Sequence, residues 1–196
     1  MVKEAVATDY ISTGYISTGI HGLDVILSGG FLRNGFYLLQ GDPGSGKTTV
    51  ALQFLLDGHK QGERNVYITL TETSSDLKRV CESHNWSMDA IDVCDLSTTD
   101  LTDTAESQYV MFQPSEVELG EVTRKIMAAV ERTKPQRMVF DGLSELRLLA
   151  TEPLRYRRQL LALKQFFEER NITVLVLDDR TSKLGQLDPE TIVGGN

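Results

Sequence analysis

The run Gly41-Asp-Pro-Gly-Ser-Gly-Lys-Thr48 constrains this chain more than any other stretch. It satisfies the pattern GxxxxGK[ST], with a short apolar strand pattern before it and a helical pattern after it. In that setting glycines let successive backbone N–H groups turn inward around phosphate oxygens, at the positive end of the following helix. Gly41, Asp42, Pro43, Gly44, Ser45 and Gly46 are therefore expected to form a phosphate cradle. Lys47, Thr48 and Thr49 then open the helix. Lys47 is expected to reach the β and γ oxygens of a nucleotide, and the Thr48 hydroxyl to ligate Mg2+. A glycine turn that precedes Lys-Thr by accident is the competing explanation, and the flanking strand and helix argue against it.

The rest of the chain alternates in the same way. Strands are expected at Phe36–Gln40, Asn65–Leu70, Arg137–Asp141 and Thr173–Asp178, with a weaker one at Ile91–Cys94. Helical spacing runs over Val50–His59, Ser74–His84, Ser115–Arg132 and Pro153–Arg170. Ser74 or Ser75 is the expected cap of the second helix, and Ser115 with Glu118 reads as a capping box for the third. Residues 95–114 are polar and close on a proline, which marks a loop. Strands apolar along their whole length and separated by helices predict an α/β fold: a mostly parallel sheet covered on both faces.

The ends carry less information. Tyr10-Ile-Ser-Thr-Gly14 is repeated at once as Tyr15-Ile-Ser-Thr-Gly19, and two such short copies make no solenoid. Residues 1–17 read as an N-terminal arm, with the domain running over 18–196. The chain stops at Gly194-Gly195-Asn196, just past Thr191-Ile-Val, which looks like the start of another strand. The domain is therefore expected to be incomplete at its C-terminal end.

Composition excludes several classes. A chain of 196 residues with 40% hydrophobic content can bury one core without disulfides or metals. A net charge of −8 argues against a protein held mainly by nucleic-acid phosphates or anionic lipid. No apolar run approaches the roughly 18–20 residues of a membrane span. The start, Met-Val-Lys-Glu-Ala, lacks the apolar stretch of a secretory signal, so a cytoplasmic location is expected. Cys81 and Cys94 read as reduced core thiols, and His21, His59 and His84 are scattered. Charge is segregated: Val80–Thr123 holds ten acidic residues and no Lys or Arg, while Glu121–Arg170 holds eleven Lys or Arg against seven acids. Arg155-Tyr-Arg157-Arg158 is the densest basic spot. Either both stretches are simply solvated, or they meet head to tail between copies.

Further chemistry is expected at strand ends, because parallel sheets bind ligands at the carboxyl edge of their strands. Asp141 closes an apolar strand, where a carboxylate can hold Mg2+ directly or through water. Glu72 follows the second strand, where it can orient or deprotonate the water that attacks a γ-phosphate. By the same rule Asp178 shares that edge, and Asp178 and Asp179 either sense the γ-phosphate or begin a turn.

Ser17-Thr-Gly-Ile-His-Gly-Leu-Asp24, followed by Leu27-Ser-Gly-Gly30, resembles the opening of the KaiC family, a branch of the RecA/RadA-like ATPases. The phosphate loop, Tyr67–Thr73, Met138–Asp141 and Arg155–Phe167 follow in the family's order, so the resemblance covers residues 17–193. It implies a RecA-like core, ATP with Mg2+, and hexameric rings with ATP between neighbours. A regulatory or signalling role, with other signalling proteins as partners, follows from the same likeness. Carried over, Lys47, Glu72 and Asp141 are the catalytic residues, and Thr48 and Asp141 hold the metal. The family usually shows two adjacent glutamates after the second strand, where this chain has Thr71-Glu72, which implies slow hydrolysis. Clock members phosphorylate a Ser-Thr pair where only Thr191 stands here, so autokinase activity is not expected. The basic residues that reach a neighbour's γ-phosphate would lie past Asn196. Two other readings remain open: a recombination ATPase, for which Arg180 and Lys183 are thin support, and a nucleotide-gated interaction module without useful turnover.

Overall fold

Apolar side chains at every position of Val66–Ile68, Met138–Phe140 and Val174–Leu177 leave these strands no wet face. They must lie inside a sheet covered on both sides. The computed structural model describes residues 14–97, 114–150 and 152–180. In chain order the elements are β1 (Tyr15–Ile16), α1 (His21–Ile26), β2 (Phe31–Leu32), β3 (Phe36–Gly41) and α2 (Lys47–Lys60). They continue with β4 (Asn65–Thr69), α3 (Ser74–Ser83), β5 (Asp92–Asp95), α4 (Pro114–Thr133), β6 (Arg137–Asp141), α5 (Leu143–Ala150), α6 (Pro153–Glu168) and β7 (Thr173–Asp179). β3, β7, β6, β4 and β5 form one five-stranded sheet in that order, and every pair in it is parallel. The fold is the expected α/β arrangement.

The period-2 pleat sends alternate residues to two cores. Val66, Ile68, Met138, Phe140, Val174 and Val176 pack against α4, α5 and α6. Tyr67, Val139, Leu175 and Leu177 meet Ala51, Leu52, Phe54 and Leu55 of α2, and Leu77 and Cys81 of α3. Register aligns the strand ends: Asp141 stands opposite Thr69 and Leu177, and Gly41 opposite Asp179.

Several boundaries differ from the sequence reading. α2 starts at Lys47, three residues before the apolar spacing begins, because its first turn is the polar end of the phosphate loop. The cap of α3 is Thr73, not Ser74 or Ser75: its hydroxyl accepts from the Asp76 N–H at 3.2 Å, and the Asp76 carboxylate accepts from the Thr73 N–H at 3.2 Å. Asp95, at the end of β5, accepts from the Ser74 N–H at 2.7 Å and occupies it. α4 begins at Pro114, so Ser115 lies inside the helix and cannot be its cap. Proline supplies the start because its fixed φ and missing N–H suit a first helical turn. α6 ends at Glu168, two residues short of the expected Arg170. α1, α5 and the two-residue β1–β2 pair are too short to show a period in the sequence. Residues 10–13 of the first repeat copy, residues 98–113, Lys183 and Thr191 lie outside the described residues.

The second repeat copy has a structural role. Ile16 is buried, and the Asp24 carboxylate accepts from the Ser17 hydroxyl at 2.7 Å and from the Thr18 N–H and hydroxyl at 2.7 and 2.6 Å. The Ser17 carbonyl in turn accepts from Arg137 at 2.8 Å. Residues 15–17 are thus packed onto the body of the sheet rather than standing off as an arm.

Arg137 is fully buried at the amino edge of β6. Its guanidinium bonds Glu63 at 2.5 Å, the Phe54 carbonyl at 2.8 Å, and lies 3.2 Å from Asp57. Gly58 makes room for it, since a Cβ there would meet Arg137 Cδ and Nε at 2.6 Å. Those atoms cannot swing away without breaking the buried pair. Gly58→Ala is therefore expected to destabilise the domain by about 1–3 kcal/mol, read as a lower urea midpoint at unchanged slope. An unchanged midpoint would show that this packing is not tight.

Candidate functional site

The phosphate loop leaves its helix open. Gly46 is the N-cap of α2 at φ 92°, and no side chain caps the helix. Gly44, at φ 78°, makes the second left-handed turn of the loop, a conformation that costs other residues far more than glycine. The first-turn N–H groups are thereby left without a side-chain cap at the positive end of the helix dipole, the arrangement that can bind an anion. Asp42–Ser45 form the exposed loop, with the Ser45 N–H donating to the Asp42 carbonyl at 3.1 Å. Gly41 closes β3, and Thr49 follows Thr48 in the first turn of α2. Lys47 folds back over the loop, donating to the Gly41 and Asp42 carbonyls at 3.0 Å each and pairing with Asp179 at 2.8 Å.

Glu72 reaches the same spot from β4. Buried Thr69 pins the turn, its hydroxyl accepting from the Glu72 N–H at 2.9 Å and donating to the Glu72 carbonyl at 2.9 Å. Glu72 Oε1 accepts from the Thr48 hydroxyl at 3.1 Å, and Oε2 is buried without a hydrogen-bond partner. Burial raises the Glu72 pKa, the charge of Asp141 raises it further, and the Thr48 hydroxyl and Lys47 work against both.

Asp141 accepts from the Tyr67 hydroxyl at 2.7 Å. Burial raises its pKa, while hydrogen bonding from Tyr67 and Thr71 draws it down. Lys47, Thr48, Glu72 and Asp141 are thus brought to one edge, on the α2 face of the sheet. Asp178 shares that edge and lines the small cavity beside Lys47 and Asp141, but its carboxylate is engaged elsewhere. The pleat turns it to the opposite face, where it accepts from Ser144 at 2.8 Å and Gln40 at 3.0 Å, with Arg147 at 3.5 Å. Asp179, the next residue, is the one that faces Lys47.

Two residues at this edge escaped the sequence reading. Tyr67 is a polar tip in a fully buried apolar strand, and alternation along β4 places it on the α2 face two residues before Thr69. Glu145, in the first turn of α5, lines a small cavity of about 10 Å³ with Lys47, Thr71, Asp141 and Asp179. Burial raises its pKa, and the charges of Asp141, Asp179 and Asp178 add to the shift. Larger clefts of about 570 and about 540 Å³ lie elsewhere, the first at the amino edge beside Arg33 and Lys134 and the second beside Trp86. Neither is lined by a residue of the phosphate loop.

The family model described as "ATPase: KaiC" matches residues 16–192. The chain belongs to the KaiC ATPase family. A UPF0273 protein of Thermotoga maritima is 32% identical over 165 residues, covering 80% of this chain and 66% of the relative. A circadian clock oscillator protein KaiC of Parathermosynechococcus lividus is 28% identical over 171 residues, covering 86% of this chain and 31% of the relative. The chain therefore spans under two thirds of these relatives' length. The crystal structure of a KaiC-like protein from Pyrococcus horikoshii OT3 superposes with TM-score 0.71 at 26% identity, covering 91% of this chain and 76% of that one. This KaiC-family chain is an ATP-binding P-loop domain, and no helix among its described residues is long and apolar enough to cross a membrane.

Proposed function

We propose that this domain hydrolyses ATP with Mg2+ at the subunit interfaces of a hexameric homo-oligomer, as a cytoplasmic regulatory or signalling unit that works with other signalling proteins. The observation that carries the reading is the 3.1 Å contact between the Thr48 hydroxyl and the Glu72 carboxylate, with Lys47 and Asp141 at the same edge.

The donor set fits Mg2+. Thr48 and Asp141 supply hard oxygen atoms, and the buried Glu72 Oε2 without a partner marks a place where a charged or polar group is wanted. Mg2+ commonly takes one or two protein oxygens and completes its shell with phosphate and water. When bound, it supplies neutralisation of the charge on the terminal phosphates. Lys47, once released from Asp179 and the loop carbonyls, adds a positive charge on the γ side. The loop N–H groups hold the other phosphate oxygens. Glu72 accepts the proton of the attacking water, a role suited to a carboxylate whose pKa burial has raised. Thr71 stands where the family carries a second glutamate, which supports slow turnover.

An assembly is supported by what this chain leaves uncovered. Asp42–Ser45 are exposed, and the cavity beside Lys47 holds only about 10 Å³, so a base and ribose gain no enclosure there. A neighbouring copy can provide it. Arg157 and Arg158 are exposed on α6 and available for an acidic surface. Light scattering of the full-length protein with Mg2+ and a slowly hydrolysed ATP analogue tests this. An oligomer is expected, weakened by added salt and by reversing Arg155, Arg157 and Arg158 to Glu. A monomer under all conditions rules out the ring. An oligomer indifferent to the reversal removes its electrostatic part. Mg2+-independent binding with no turnover would leave only a nucleotide-gated module.

A further inference from the structure

We infer that Tyr67 is a positioning residue for metal-dependent nucleotide binding, its hydroxyl holding the Asp141 carboxylate in place at the carboxyl edge of the sheet. The inference rests on the reading of Asp141 given above.

Tyr67 has no exposed surface, and its ring belongs to the core beneath α2. Its one side-chain polar atom is the hydroxyl, which donates to Asp141 Oδ2 at 2.7 Å. The register of β4 on β6 sets Tyr67 opposite Val139 and Thr69 opposite Asp141, so the bond is a diagonal reach across neighbouring strands. The same phenol lies close enough to Glu72 and Thr48 to be influenced by both. Asp141 needs such a partner, because Asp179 repels it and it acts in turn on Glu72 and Glu145. Thr71 and Lys47 also favour the carboxylate, but Tyr67 is the donor fixed by burial on a strand, so its loss leaves the carboxylate freer to move under those like charges. If the ring mattered only as packing, phenylalanine would serve equally well, since it fills the same volume.

Tyr67→Phe separates the two roles. Mg2+ is titrated against a fixed concentration of a fluorescent, slowly hydrolysed ATP analogue, using the full chain. The half-saturating Mg2+ concentration is expected to rise about 10-fold or more, as when an outer partner of a metal ligand is lost. Affinity for the analogue without metal is expected to stay within about twofold, and the unfolding midpoint of the ligand-free protein within about 5 °C of wild type. In the Asp141→Asn background the same change is expected to shift the Mg2+ requirement less than about twofold, because Tyr67 acts through Asp141. An unchanged Mg2+ requirement in Tyr67→Phe overturns the inference, and so does an equal loss of affinity with and without metal. If wild-type binding is itself indifferent to Mg2+, the metal reading of Asp141 fails first and this inference falls with it, a result distinct from either variant outcome.

Discussion

Lys47→Ala is expected to weaken ATP binding by about 100-fold or more while the domain remains folded. The ammonium makes three contacts, to two loop carbonyls at 3.0 Å and to Asp179 at 2.8 Å. All three belong to the loop and the sheet edge, and none belongs to either apolar core. Removing them costs little stability, whereas removing a cation from the terminal phosphates deletes charge-assisted hydrogen bonds that water replaces poorly. Calorimetric titration with ATP checks the affinity, and thermal unfolding without nucleotide checks the fold. A variant that binds ATP as tightly as wild type would show that this loop does not hold phosphate.

Glu72→Gln is expected to keep ATP affinity within a few fold and to slow single-turnover hydrolysis by about 10²–10⁴-fold. The amide keeps the size of the carboxylate and can still accept from the Thr48 hydroxyl, but it cannot take a proton from water. The pH profile adds a second signature. Burial and Asp141 place the Glu72 pKa above the ordinary carboxylate value, so wild-type turnover is expected to fall as pH drops through that raised value. The variant loses this limb. Stability moves the opposite way. The folded Glu72 carboxyl holds its proton more tightly than the unfolded one, so its ionised form disfavours the fold at neutral pH. Ligand-free Glu72→Gln is therefore expected to melt at or above wild type at pH 7. The gap closes as pH falls through the folded pKa and wild-type Glu72 protonates. An unchanged turnover rate would move the base to another carboxylate of this edge, such as Glu145, which lines the small cavity beside Lys47 and Asp141.

Much of this was legible in one dimension. A phosphate loop is a local object: its glycines, lysine and threonine act on a ligand through backbone only a few residues long, so spacing alone carries the prediction. Strands buried on both faces are nearly as local, since an unbroken run such as Val174–Leu177 has no other stable place to sit. The parallel sheet then follows from the helices between the strands. The shared carboxyl edge, with Glu72 and Asp141 beside the loop, follows from that topology.

The choices of face and partner come from packing between distant strands. Asp178 and Asp179 are adjacent in the chain and read alike, yet the pleat gives Asp179 to Lys47 and sends Asp178 beneath the sheet to Ser144 and Gln40. The phase of that alternation is set by which residues of β7 pair with β3 and β6, and no local pattern encodes it. The Tyr67–Asp141 bond joins residues 74 apart, and the Arg137–Glu63 pair spans the same separation. In sequence Tyr67 is one aromatic among several in the strands, and Arg137 is one of the eleven Lys or Arg of its stretch. Glu145 sits on a helix too short to announce itself. The phosphate loop, the parallel sheet and the edge where chemistry is possible can be read along the chain, because each depends on neighbours in it. Which carboxylates face the loop, and what holds them, depends on register between strands distant in sequence, so only folding brings those partners together.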